Sequence, residues 1–179
     1  MNEASPAVPL PLPSRNPAAE KLRGQMLNPW LMRGMFLSKL PLALFAGLRV
    51  RELDTEHCVA TVPYGWRTTN PFRSTYFAAQ TMAAELSTGT LAMLAVRLAP
   101  APVALLVVGL EATFEKKATA TTAFTCEAGP EIFAAVARTV ETGEPVTVRA
   151  ETIGRAPAGA VVARFTFTWS FKKRSGGRA

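Results

Sequence analysis

The chain has 179 residues, with 20 Lys and Arg against 13 Asp and Glu, a formal net charge of +7 and a single histidine. That length favours one domain around one core, and 49% apolar with 18% charged residues excludes a disordered chain, which needs few apolar residues and much charge. Cys58 and Cys126 are too few for a disulfide scaffold, a zinc ribbon or an iron–sulfur framework, and His57 alone excludes chemistry that needs two imidazoles in one protomer.

The first residues, Met1–Pro13, are rich in Pro and Ala and carry no basic stretch ahead of an apolar run, so they do not read as a signal peptide. Pro29–Leu48 is the most membrane-like stretch, but Arg33, Lys39 and Pro41 interrupt it. A spanning helix wants about 20 largely uncharged apolar residues. The expectation is a soluble, cytoplasmic protein with reduced cysteines and no transmembrane segment. The charge sits at the two ends: residues 1–50 carry a net +4, Lys172, Lys173, Arg174 and Arg178 add +4, and residues 51–171 carry −1. Basicity spread over a domain would point to nucleic acid. Basic ends read instead as solubilising termini, or as contacts to anionic phosphates of coenzyme A or a membrane surface.

Met1–Pro17 reads as a Pro-rich leader, followed by a single domain over 18–174 and a basic tail end at 175–179. Ala18, Leu22 and Met26, four apart, predict a helix over Ala18–Leu27. Asn28-Pro29 restarts a helix that runs to Lys39, with Asn28 as cap and Pro29 at the first position, where its missing N–H is not needed. Arg49–Pro63 predicts two short strands around a turn at Asp54–Glu56. Gly65–Arg73 is a loop with turn chemistry at Thr68-Thr69-Asn70-Pro71. One long helix is predicted over Ser74–Leu98, ended by Pro100 and Pro102. Val103–Glu115 and Ala118–Glu127 predict a hairpin turning at Lys116-Lys117. A helix over Pro130–Thr142 and strands over Val146–Gly154 and Ala160–Phe171 complete the chain. In the last strand Phe165, Phe167, Trp169 and Phe171 face one way, and Arg164, Thr166, Thr168 and Ser170 the other. The order predicts an α+β architecture, an antiparallel sheet wrapped around one long central helix.

Between Arg73 and Arg97 the only charged residue is Glu85. Its helix is apolar nearly all round, which predicts burial. A carboxylate there, with no basic residue within two turns, is desolvated, and its pKa should rise. Such groups are candidates for general-base or nucleophile work; the plain alternative is a Glu that escapes to solvent or bonds a backbone amide. Asn70 lies fifteen residues earlier in the loop and reads as either a turn residue or a catalytic amide. The first helical turn at Tyr76-Phe77-Ala78 offers N–H groups without intrahelical partners, a ready oxyanion site. The cysteines, on predicted strands, read as core residues, since a reactive Cys needs a basic or helix-N-terminal setting. No ligand cluster for a metal is evident.

The segments KLPLALFAGLRVRELD, TNPFRSTYFAAQTMAAELSTG and FTFTWSFK resemble an uncharacterised family of hotdog-fold, thioesterase-like proteins over roughly residues 30–172. The wider superfamily includes phenylacetate-pathway and hydroxybenzoyl-CoA thioesterases. The resemblance implies an acyl-CoA or other acyl thioester as substrate, coenzyme A as part of it, and no separate cofactor. It puts Glu85 in the position of the catalytic carboxylate, Phe77 in that of the backbone N–H donor, and Asn70 in that of the orienting amide. Tyr76 stands where those enzymes often have His, and Phe77-Ala78 where they have Gly-Gly; glycine admits a ligand close to the backbone. Tyr76, Ala78 and Thr81 would line the substrate, and Arg73, Lys116 and Lys117 are the nearest cations for coenzyme A phosphates. The superfamily builds its sites between protomers, which implies a homodimer or tetramer, and Val103–Leu110, apolar on both faces, suits such an interface. Two further readings are a non-catalytic acyl-binding hotdog protein and a peripheral membrane or nucleic-acid-associated protein that uses its basic ends.

Overall fold

The computed structural model describes residues 17–174. The leader up to residue 16 and the tail end at 175–179 lie outside the described residues, while Pro17 opens the first helix.

Three short helices come first: α1 (Pro17–Leu27), α2 (Pro29–Lys39) and α3 (Pro41–Ala46). Asn28 caps α2 as expected, its side-chain oxygen accepting from the amides of Trp30 (3.0 Å) and Leu31 (3.2 Å). The sequence reading ends α2 before Pro41 and foresees nothing beyond it. Pro41 instead takes the first position of α3, and Gly47, at φ 75, closes that helix in the left-handed conformation.

Strands β1 (Arg49–Leu53) and β2 (Cys58–Val62) pair around a turn in which Asp54 Oδ1 accepts from the amides of Glu56 and His57, both at 2.7 Å. The central helix α4 (Phe77–Leu98) starts three residues later than the sequence predicts. Residues 75–76 are held extended, because Thr75 N donates to Ala118 O (2.7 Å) and Tyr76 N to Thr68 O (2.6 Å). Then come β3 (Val103–Phe114), β4 (Thr122–Cys126), α5 (Gly129–Thr142), β5 (Val146–Arg155) and β6 (Val161–Lys173).

The six strands form one antiparallel sheet in the order β1-β2-β4-β5-β6-β3. The alternation read in β6 holds: Phe165, Phe167, Trp169 and Phe171 are all buried. Opposite them α4 buries Ala79, Ala83, Ala84, Ala92 and Ala95 with Leu91 and Leu94, so small side chains let the helix sit close to the sheet. Each buried Phe or Leu contributes about 1.5–3 kcal/mol relative to exposure.

The predicted β3–β4 hairpin is corrected. β3 pairs with β6, and β4 lies between β2 and β5. The physical reason is length and apolar content: β3, twelve residues long, finds a full-length partner only in β6, whereas β4 has five residues. Lys116-Lys117 therefore begins a crossing segment rather than a tight turn, and β3 occupies a sheet edge.

Candidate active site

Helix α4 is buried on three sides, with one partly open stripe. Phe77, Thr81, Glu85 and Gly89 follow one another at steps of four residues along it, flanked by the half-buried Ala78 and Met82. Glu85 sits in the middle of this stripe. The expectation of a helix buried all round is thus met except along the line that carries its one carboxylate.

Two features set the position of Glu85. A Cβ added at Gly89 would lie 2.9 Å from Glu85 Oε1 and 3.2 Å from Trp169 Cζ2, so the absence of a side chain at Gly89 leaves room for the carboxylate beside the indole. Trp169 is itself fixed, since its Nε1 donates to Thr88 Oγ1 (3.1 Å), which donates to Glu85 O (3.1 Å). No cation pairs with Glu85 among the described residues. Burial next to the indole therefore acts unopposed and holds its carboxyl above the ordinary glutamate value near 4.5.

The other residues singled out in the sequence fall into three groups. Phe77, Ala78 and Thr81 share the open stripe; Phe77 is the first helical residue, so its N–H belongs to the unpaired first turn, and Thr81 Oγ1 donates to Phe77 O (2.9 Å). Tyr76 precedes the helix and packs edge-on to Phe77 (4.9 Å), which in turn meets Phe114 of β3 (6.4 Å). Arg73 and Lys117 are brought close, because Lys117 Nζ donates to Phe72 O (3.3 Å) next to Arg73; Lys116 is tied to β6 through its amide and Val162 O (3.2 Å). All three cations are exposed.

Asn70 stands in the loop that enters α4. Its side-chain oxygen accepts from Phe72 N (3.0 Å), Ser74 N (3.2 Å) and Ser74 Oγ (3.2 Å), which folds the loop in front of α4. No hydrogen bond joins it to Glu85 among the described residues.

Sequence reasoning missed Trp169 and Phe114, which reach α4 from distant strands, and Gln80. Gln80 is buried in the first turn of α4; its Nε2 donates to Thr75 O (3.1 Å), and its Oε1 is the one buried side-chain oxygen without a partner among the described residues. His57 sits at the β1–β2 turn against Asp54 (2.8 Å) and Glu52 (3.3 Å), on different elements from Glu85. Cys58 and Cys126 are buried cross-strand partners whose thiols burial pushes up, that of Cys126 to about 11, so neither is poised as a thiolate.

A long helix held in one antiparallel sheet defines a hotdog fold, and here the helix carries a lone carboxylate on its open stripe. Solved structures share the fold: a Chlorobaculum tepidum protein of unknown function is 14% identical, covers 88% of this chain and 95% of its own, and has a TM-score of 0.69. A Haemophilus influenzae thioesterase is 10% identical over 84% of this chain and 94% of its own (TM-score 0.61). A mutant Pseudomonas aeruginosa thioesterase is 14% identical over 80% and 93% (TM-score 0.61). Residues 28–171 match the domain of unknown function DUF4442, and the chain belongs to that family. No curated protein matches it by sequence.

Proposed function

We propose that the protein hydrolyses acyl thioesters, with acyl-CoA the expected form and Glu85 the catalytic carboxylate. The observation that carries this reading is the placement of Glu85, an unpaired carboxylate at the centre of the only open stripe of a buried helix, with Gly89 and Trp169 shaping the space around its oxygens. A carboxylate with a raised pKa is a stronger base than an ordinary one. It takes a proton from water as the water oxygen bonds to the thioester carbonyl carbon. The carbon–sulfur bond then breaks, and Glu85 returns that proton to the departing sulfur, which leaves as the thiol. Attack by the carboxylate itself, through an anhydride, gives the same products.

The oxyanion donor is the Phe77 amide. Eight residues of helix separate it from Glu85, about 12 Å along the axis, which is too far for both to meet one carbonyl within a protomer. Two copies of α4 packed antiparallel bring each Glu85 to the partner's helix N-terminus. The edge position of β3 and its outward Leu106 and Val108 support such pairing, because an open strand edge is a template for a second copy. Arg73 and Lys117, beside the same helix N-terminus, would then meet the phosphates, and Phe77 and Phe114 the acyl chain.

The test is thiol release from a panel of acyl-CoAs, combined with complementation. Phe77→Pro removes the N–H at a position where Pro is favoured, and Tyr76 at φ −58, ψ 134 already has the backbone a residue before Pro adopts. It should cost about 10²–10³ in rate without unfolding the helix. Co-expressed with Glu85→Gln, it should recover about a quarter of wild-type turnover, since each hybrid dimer holds one intact site. No recovery would place both groups in one protomer or remove the Phe77 amide from the reaction.

Gly89→Ala supplies a separate check. Helix propensity gains about 0.5–1 kcal/mol, while the new methyl pushes the flexible Glu85 carboxylate away from the indole. Turnover is expected to fall about tenfold or more, and the melting temperature to fall modestly, because the methyl also presses within 3.2 Å of the buried Trp169 ring that Thr88 holds in place. The ring of Phe77 at the amide favours one other reading, an acyl-binding protein without turnover. That reading stands if no acyl-CoA in the panel releases thiol while the protein still binds one.

A further inference from the structure

Helix α2 is apolar on both sides. It buries Phe36 and half-buries Met32 and Met35 toward the core, yet Trp30 is 78% and Leu37 68% exposed on its other side, with Leu31 exposed nearby. α3 repeats the pattern: Ala43 and Ala46 are buried, and Leu42 and Phe45 are exposed. Phe45 meets Trp66, 80% exposed in the loop after β2, edge-on at 6.0 Å. A helix that is apolar all round belongs in a core or against another apolar phase, and the described chain leaves this side uncovered.

The charge along this stretch is mostly of one sign, with Arg23 paired to Glu20 at its start (2.8 Å). From Lys21 to Arg51 the sequence contains six cations and no acid. Arg33 lies over the Trp30 ring at 5.8 Å, and Lys39 stands in the last turn of α2. Exposed Trp, Leu and Phe interleaved with Lys and Arg form the pattern of helices that lie in a bilayer's headgroup region, with the apolar side chains inserted and the cations on anionic lipid. No described helix is long and apolar enough to cross a membrane, so α2 and α3 would lie on the surface.

We propose that the outward side of α2–α3, together with Trp66, is a membrane-association surface for anionic lipid. The proposal is independent of any role for Glu85. The absence of acids over residues 21–51 favours a negatively charged bilayer over a second copy of this chain, which would oppose cations to cations.

The experiment is flotation of the full chain with extruded vesicles, three parts phosphatidylcholine to one part phosphatidylglycerol, against phosphatidylcholine alone, with tryptophan emission followed in parallel. The wild type is expected to float with the anionic vesicles and to shift its emission to the blue as Trp30 and Trp66 leave water; Trp169 is already buried. Trp30→Ser combined with Leu37→Ser should lower the partition coefficient about tenfold or more. Arg33→Gln combined with Lys39→Gln should lower it while leaving every apolar residue in place. Failure of the wild type to bind anionic vesicles overturns the proposal, as does binding that both double variants leave unchanged. A change of oligomeric state in Trp30→Ser/Leu37→Ser, in a protein that ignores vesicles, would assign the surface to a second copy instead.

Discussion

Glu85→Gln is expected to lower acyl-CoA turnover by about 10²–10⁴-fold, the range over which a positioned proton acceptor contributes, while binding of the substrate persists. Gln keeps the shape and the contacts with Gly89 and Trp169 but cannot take a proton. In the wild type the rate should rise with pH through an apparent pKa above the ordinary glutamate value, because desolvation holds the carboxyl protonated longer. Stability should move the other way. A carboxyl whose folded pKa is raised binds its proton more tightly in the native state, so its contribution is intact below the unfolded value near 4.5 and is lost as pH rises through the folded one. Glu85→Gln lacks that loss and should melt above the wild type at neutral pH, with the difference vanishing in acid. Thiol release and thermal melts across the same pH series check both arms. A variant that is inactive and also less stable at neutral pH would mean that Glu85 holds the fold together rather than performing chemistry.

Gly129→Ala is expected to destabilise the protein by about 3 kcal/mol, the upper part of the range for forced overpacking. Gly129 opens α5 directly against the β1–β2 turn, and its N–H donates to Glu56 O at 3.0 Å. An added Cβ would fall on the carbonyl of Thr55 and within 2.5 Å of that of Glu56. Those atoms cannot yield, because Asp54 already holds the turn through two amides at 2.7 Å. For a domain of this size such a loss lowers Tm by about 6–12 °C. Gly34→Ala is the control: nothing lies within 4 Å of its added Cβ, so the exposed side of α2 should accept it without loss. Differential scanning calorimetry of both variants decides the matter, and an unchanged Tm for Gly129→Ala would show that α5 shifts to accommodate the methyl.

The legible parts of the fold were those whose signals are local. Asn28-Pro29 and the alternating Phe165, Phe167, Trp169 and Phe171 each mark an element through a neighbour a few residues away, and the structure keeps both. Pro41 misled the reading because the same residue that ends one helix can begin the next. The β3–β4 hairpin failed because strand pairing is decided by length and face match across the sheet, not by nearness in sequence. For the site, Glu85 stood out as the one charge on an apolar helix. What fixes its surroundings did not, because Trp169 lies 81 residues from the Thr88 hydroxyl it donates to. Asn70 was visible as a polar residue in the loop before α4, and only the loop's own hydrogen bonds reveal that its side-chain oxygen also folds that loop.

The edge position of β3 also bears on how the chain assembles during synthesis. Phe114 pairs with Ala163 and Val103 with Lys173, so an apolar twelve-residue strand leaves the ribosome well before any of its partner exists. Until β6 follows, β3 has an unmatched edge on both sides, the condition under which strands seek other chains. Nascent chains arrested between β3 and β6 are therefore the species most exposed to aggregation and most in need of a chaperone.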